Sequence, residues 1–357
     1  MLKHILAASV ALLALTAAAA AETCSLPTLA DSADLMPVAG SDLMTVPVKV
    51  NDQPKQFLLD IGTNPNEISQ AAVTQLGLPQ DAKLTESIGA NGSNMQSGGG
   101  NLSALTNGGL GNVSIYDVRD KTGAGGAQTR VRITSFTIGG ATGQHLMFLV
   151  ANDAEMGKSQ SEPYDGLLTG DFFKQYDVEM DFGGKEINYL TPTKCTDPNQ
   201  VVFWAHSAVG VIPMTIVDGK INVPVSVQGH PINAVIDTSS SRTMMRRDIA
   251  ELTSGLKADT PDMMPDGDLK DGKGMPVYVH TFSQISFAGG VTAMNVPALI
   301  LTNSLTHEIT SKMVLGSWAR SADAQVPDMT LGMDVLHQLH LYVVFGQKKI
   351  YVTAAQL

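Results

Sequence analysis

Cysteine is scarce in this sequence, with two in 357 residues, Cys24 and Cys195. No cysteines, histidines and carboxylates cluster at metal-ligand spacing, so no metal site is expected. Basic charge is in deficit, since 23 lysines and arginines face 34 aspartates and glutamates for a formal net charge of −11. That balance argues against nucleic acid and against an anionic membrane surface as partners. A Gly-x-Ser-x-Gly nucleophile motif is missing, as is a cysteine–histidine pairing. His145, His206, His230, His280 and His307 are scattered, which disfavours serine or cysteine hydrolysis. Past the first 21 residues no segment approaches the roughly 20 apolar residues of a membrane-spanning helix.

What is present begins at the N-terminus. Met1-Leu2-Lys3-His4, the apolar run Ile5 to Leu15 and the alanines Ala17 to Ala21 form a secretory signal with cleavage expected near Ala21. The remainder is expected to be exported to the periplasm or secreted, without membrane insertion. Glu22-Thr23 before Cys24 is the wrong context for a lipid anchor. In an oxidising compartment Cys24 and Cys195 make one disulfide; the competing reading is two buried thiols. The length suggests two domains, and 34 glycines with 17 prolines suggest turn-rich β structure.

The chain repeats itself. "MTVPVKVNDQPKQFLLDIGT" (Met44 to Thr63) is echoed by "IPMTIVDGKINVPVSVQGHPINAVIDTSS" (Ile212 to Ser240). Each contains a Val-Pro-Val strand, a tight turn (Asn51-Asp52, Gln228-Gly229) and an apolar strand ending in an aspartate, Asp60 or Asp237. Each copy continues with a short amphipathic helix ("EISQAAVTQLGL", "MMRRDIAELTSGL") and a long polar segment of low strand propensity. A hairpin follows in each, Val131 to Ala151 and Val279 to Leu301. The copies also end alike, Gly166 to Leu190 matching Met329 to Thr353, with Asp171 opposite Asp334 and Phe182-Gly183 opposite Phe345-Gly346.

An aspartate at the end of a buried strand, followed by a tight turn, is presented at a surface. Two lobes packed about a pseudo-two-fold axis would bring Asp60 and Asp237 together. Like charges that close cannot both ionise, so one proton is shared. One carboxylate can then act as base on a water and the other as acid toward a peptide carbonyl.

On these residues the sequence resembles the aspartic peptidases, both the two-lobed pepsin-like enzymes and the retropepsin-like group. Members carry Asp-Thr-Gly and then a small or hydroxyl residue, and later in each lobe two apolar residues and a glycine. The later element stands here as Leu167-Leu168-Thr169 and Thr330-Leu331-Gly332. Asp60-Ile61-Gly62-Thr63 keeps the glycine and loses the threonine, whereas Asp237-Thr238-Ser239-Ser240 does the reverse. In the family the threonine hydroxyls lock the two loops across the axis, so Ile61 removes half of that lock and leaves Thr238 to brace both. The resemblance implies that Thr63 and Ser240 bond the carboxylates and that Gly62 and Ser239 line the substrate side. Ser239 is expected to carry a conformational cost where glycine is usual, and Thr169 to crowd the loop above it.

Ile88 to Ser103 stands where a family flap would, with Ala104 to Gly126 extending it; a solvent-exposed loop of flexible composition fits equally. Met263 to Gly274 is its second-lobe counterpart. His337 and His340 in "LHQLHL" could share a helix face, without the ligand partners a metal needs. Arg242, Arg246 and Arg247 read either as an anion site or as a solvated face. The triplets at Asn101 and Asn112 fit glycosylation by chance, and the 17 methionines either fill two modest cores or line a groove.

The expected fold is all-β: two homologous pepsin/retropepsin-like barrel lobes of six-stranded type related by a pseudo-two-fold, with the active cleft between them. The boundaries are 1–21 signal peptide, 22–40 N-terminal arm, 41–195 first lobe, 196–207 connector and 208–357 second lobe. The function expected is an exported, monomeric aspartic endopeptidase acting on extended peptide segments through Asp60 and Asp237, without a cofactor. Gly62, Thr63, Thr238, Ser239 and Ser240 support the carboxylates. The alternative is a degenerate lobe pair that binds peptides or a partner protein without cutting.

Overall fold

The computed structural model describes residues 26–61, 66–80, 129–151, 164–169, 173, 176–204, 209–217, 219–256, 263–270, 276–301 and 327–355. The first half runs β1 (Leu29–Asp34), β2 (Met36–Pro37), β3 (Met44–Val50), β4 (Gln53–Asp60), β5 (Glu67–Ser69), helix α1 (Gln70–Gln75), β6 (Arg130–Ile138), β7 (Ala141–Ala151), β8 (Gly166–Thr169), β9 (Asp177–Asp181) and β10 (Glu186–Leu190). Helix α2 (Pro198–Val201) stands between the halves. The second half runs β11 (Gly210–Pro213), β12 (Thr215–Val217), β13 (Lys220–Val227), β14 (His230–Ile236), β15 (Met244–Arg246), helix α3 (Arg247–Ser254), β16 (Met264–Lys270), β17 (Pro276–Phe287), β18 (Thr292–Leu301), β19 (Met329–Leu331), helix α4 (Met333–Leu336), β20 (Leu339–Val344) and β21 (Lys349–Ala354).

Six strands close into a barrel in each half. The first is ordered β3-β4-β8-β5-β7-β6, with β6 returning to β3; the second is β13-β14-β19-β15-β18-β17, with β17 returning to β13. Strand for strand the two orders are the same, so the repeat read in the sequence is a repeat of architecture. The strands form because apolar residues alternate: in β13, Ile221, Val223, Val225 and Val227 point inward while their neighbours do not. Both opening hairpins turn in two residues, Asn51-Asp52 and Gln228-Gly229, all four with positive φ. That geometry matches the twist of the flanking strands.

Phe57, Phe136 and Phe148 fill the first barrel, their ring centroids 5.2 to 5.9 Å apart. This trio explains Gly166 at the start of β8. A methyl group there would lie 2.6 Å from the Phe57 ring and 2.4 Å from the Glu67 carbonyl oxygen.

A third sheet joins the halves in the order β1-β10-β9-β20-β21-β11, three strands from each. At its centre β9 and β20 pair antiparallel, Glu179 opposite Tyr342. The N-terminal arm is part of this structure, since β1 pairs with β10 and β2 with β3.

Three local expectations are corrected. Both amphipathic stretches begin as strands, β5 and β15, and turn helical only at Gln70 and Arg247. Each strand is wedged between two others, β5 between β7 and β8, β15 between β18 and β19, and that pairing overrides helical periodicity. Met264 to Lys270, expected to lack a strand, is β16, recruited by the open edge of the 12-residue β17. The helix α4 ends at Leu336, so His337 caps it while His340 lies in β20, and the two share no helix face.

Candidate active site

The second aspartate loop is held from below by its own strands. β14 and β19 run parallel with Ile236 beside Leu331, and the Asp237 N–H donates to the Leu331 carbonyl at 3.1 Å. Asp237 is buried. Its Oδ1 accepts two hydrogen bonds from Ser239, one from the backbone N–H at 3.0 Å and one from the hydroxyl at 2.7 Å. Ser240, expected at the carboxylate, donates instead to the Arg242 carbonyl at 2.8 Å. Ser239 does not have a positive φ, so the conformational cost expected of a side chain there is not incurred.

The next turn of this loop is clamped to α4. Thr243 receives a hydrogen bond on its hydroxyl from Gly332 N–H at 3.1 Å. It in turn donates to Asp334 through its N–H at 2.9 Å and its hydroxyl at 2.6 Å. Met333 N–H donates to the Ser240 carbonyl at 2.8 Å. The contact is too close for any side chain at Gly332, where a methyl group would sit 2.4 Å from the Arg242 carbonyl carbon.

The first loop uses the same plan with different atoms. β4 and β8 run parallel with Asp60, 1% exposed, beside Thr169. Thr169 donates to Asn66 Oδ1 twice, from its N–H at 3.0 Å and its hydroxyl at 3.1 Å. Asn66 follows Asp60 by the same six positions that separate Thr243 from Asp237. Both therefore offer a side-chain oxygen to the strand crossing beneath. Thr169 is accommodated by this bond rather than crowding the loop. Sequence reasoning passed over Asn66 and Thr243; their equal spacing from the aspartates was the available signal. Gly62 and Thr63 lie outside the described residues.

The two loops meet at Thr238. Its hydroxyl accepts from Ile61 N–H at 2.9 Å and donates to the Leu59 carbonyl at 2.9 Å. Leu59 and Ile61 flank Asp60, and Thr238 follows Asp237, so one hydroxyl ties the neighbours of the two aspartates together. Ile61 is fully buried and contributes apolar contact where a second hydroxyl would have stood. Beside the second loop a cleft of about 550 Å³ opens between the halves, walled by Val38 to Leu43 on one side and Ser241, Arg242, Pro297 and Asp334 on the other.

Behind the loops, the joining sheet carries a second polar group of residues. Asp177 on β9 accepts from Thr193 N–H at 2.6 Å and from the Tyr342 hydroxyl at 3.3 Å. Burial pushes its carboxyl up to about 6 against those hydrogen bonds, and burial likewise raises the Tyr342 phenol. His340 Nε2 lies 2.8 Å from Glu179 Oε1, and its ring stacks on Trp204 with centroids 4.0 Å apart.

Of the other expected features, Arg246 is paired with Asp248 and Asp328 and Arg247 with Glu251, which is a neutralised face rather than an anion site. Cys195 is disulfide-bonded, and the one other cysteine of the chain, Cys24, lies outside the described residues. The segment 88–126 lies outside them too. Among the described residues no three histidine, cysteine, aspartate or glutamate side chains gather as a metal would require.

Solved structures similar to this chain include conglutin gamma, a basic 7S globulin from lupine seeds, at 11% identity and a TM-score of 0.46, covering 92% of this chain and 95% of that one. Basic 7S globulin from soybean matches at 10% identity and a TM-score of 0.43, covering 90% and 94%. A retropepsin-like aspartic protease from Rickettsia conorii matches at 16% identity and a TM-score of 0.29, covering 42% of this chain and 94% of that one. No curated protein matches the chain in sequence. The aspartyl protease family model matches twice, over residues 46–123 and 223–335, once in each half and together over more than half of the chain. With two barrels of one topology and an aspartate loop at the corresponding place in each, this chain belongs to the aspartyl protease family.

Proposed function

We propose that this protein is an exported aspartic endopeptidase that hydrolyses peptide bonds in extended segments, with Asp60 and Asp237 sharing one water. The observation that carries the reading is the Thr238 hydroxyl, bonded to the backbone on both sides of Asp60 while its own residue follows Asp237. In this reading the two carboxylates share one water and retain one proton between them. The ionised one accepts a proton from the water as its oxygen adds to the carbonyl carbon. The other gives its proton toward the substrate, and when the C–N bond breaks the nitrogen leaves as an amine carrying a proton that the pair returns. The water thus supplies the hydroxyl of the new acid and the hydrogen of the new amine. Export rests on the signal-like segment Met1 to Ala21.

A peptide library incubated with the mature protein at acidic and near-neutral pH tests this reading. Cleavage by the wild type and its loss in Asp60→Asn and Asp237→Asn are expected. Absence of cleavage at every pH would refute it. Peptide binding without cleavage is the second reading, favoured by Ile61, whose buried side chain offers no hydroxyl to the opposite loop.

A further inference from the structure

We propose that Ser239 is the positioning residue of the second aspartate, and that it fixes Asp237 by one oxygen alone, leaving Oδ2 as the proton-transferring oxygen. The proposal rests on the peptidase reading above. Three observations carry it.

Both donors of Ser239 converge on Oδ1, the hydroxyl at 2.7 Å and the N–H at 3.0 Å. The hydroxyl is the closer of the two donors, at an ordinary O–H···O separation. Oδ2 of Asp237 accepts no hydrogen bond from the described residues. A carboxylate gripped at one oxygen keeps its plane and its position, while the other oxygen stays open to a water.

Ser240 is unavailable for the task. A serine hydroxyl has one proton to donate, and that of Ser240 goes to the Arg242 carbonyl at 2.8 Å. That bond tightens the same loop whose next residues are clamped to α4 through Thr243 and Asp334. The two serines have divided the work: one holds the loop, the other holds the carboxylate.

The exchange is permitted by the backbone. Ser239 has no positive φ, so a side chain costs no strain there, and its exposure is intermediate although Asp237 beside it is buried. The glycine expected at this position could donate its N–H but no hydroxyl. Alanine at this position removes the hydroxyl donor and keeps Cβ, whereas glycine removes the same donor and also frees the backbone.

The test compares Ser239→Gly, Ser239→Ala and Ser239→Thr with wild type. The Gly and Ala variants are expected to lose on the order of 10-fold or more in kcat with KM within about twofold, and Thr, which keeps the hydroxyl, to retain most of the activity. The infrared carboxylate stretch of Asp237, isolated by difference from Asp237→Asn, is expected to shift in Ser239→Ala and Ser239→Gly and to stay in place in Ser239→Thr. This band is read without substrate, so it tests the grip of Ser239 on Asp237 separately from the peptidase reading, which stands or falls by the cleavage assay. An Asp237 band that stays in place in both Ser239→Gly and Ser239→Ala, or one that moves in Ser240→Ala instead, would overturn the proposal.

Discussion

Replacing Thr238 by valine removes a hydroxyl and keeps the shape, so the change isolates the bridge between the loops. The Ile61 N–H loses its acceptor and the Leu59 carbonyl loses a donor, both in a buried place. An orphaned buried donor costs about 1–3 kcal/mol, and losing a second, less exacting bond adds about 1 kcal/mol, so Thr238→Val is expected to destabilise by about 2–4 kcal/mol. At roughly 2 °C per kcal/mol for a chain of this size, the melting temperature falls by about 4–8 °C. Thr238→Ser keeps the hydroxyl and loses only a methyl group, so it should cost about 1 kcal/mol. The assay is calorimetric melting of both variants beside wild type. A loss in Thr238→Val no larger than in Thr238→Ser would mean that the bridge carries no energy and that the two loops are held by packing around Ile61.

Burial raises the Asp177 carboxyl to about 6 from an ordinary 3.8, so the folded protein binds that proton more tightly than the unfolded chain does. Its contribution to stability is complete below about pH 4 and is lost as pH rises through about 6, a difference on the order of 3 kcal/mol. Asp177→Asn should therefore gain stability relative to wild type at pH 7–8 and not at pH 4, as denaturation at both values would show. Gly332→Ala forces a methyl group against the Arg242 backbone and should destabilise by about 2–4 kcal/mol or displace the second loop, visible as a lower melting temperature together with lost peptide cleavage. Asn66→Ala leaves the buried Thr169 N–H and hydroxyl without their acceptor and should cost about 2 kcal/mol by the same melting assay.

The barrels, their hairpins and the two aspartates were legible because each rests on a local pattern that repeats: alternation in β13, two-residue turns at Asn51-Asp52 and Gln228-Gly229, apolar strands ending at Asp60 and Asp237. What local pattern could not reveal was competition among neighbours. Glu67 to Ser69 has helical periodicity with the residues that follow, yet its backbone is claimed by β7 and β8. Ser239 and Ser240 are interchangeable as letters, and only the course of the loop decides which hydroxyl reaches the carboxylate and which reaches Arg242. Thr238 stood out in the sequence because its counterpart is Ile61, but its two partners, Leu59 and Ile61, are backbone atoms that no side-chain pattern advertises.

The joining sheet has a consequence for how unlike its two halves can become. Separate subunits encoded by one gene must place the same residue at equivalent positions, and their encounter depends on concentration. Here both halves lie on one chain and meet across β9 and β20, so each faces the other at an effective concentration in roughly the millimolar range or above. The halves cannot drift apart even when one of two matching bolts is missing. Codons 61 and 238 are then free to diverge, one serving the core and the other the bridge, and the asymmetry at the centre of the molecule is a freedom that fusion of the halves confers.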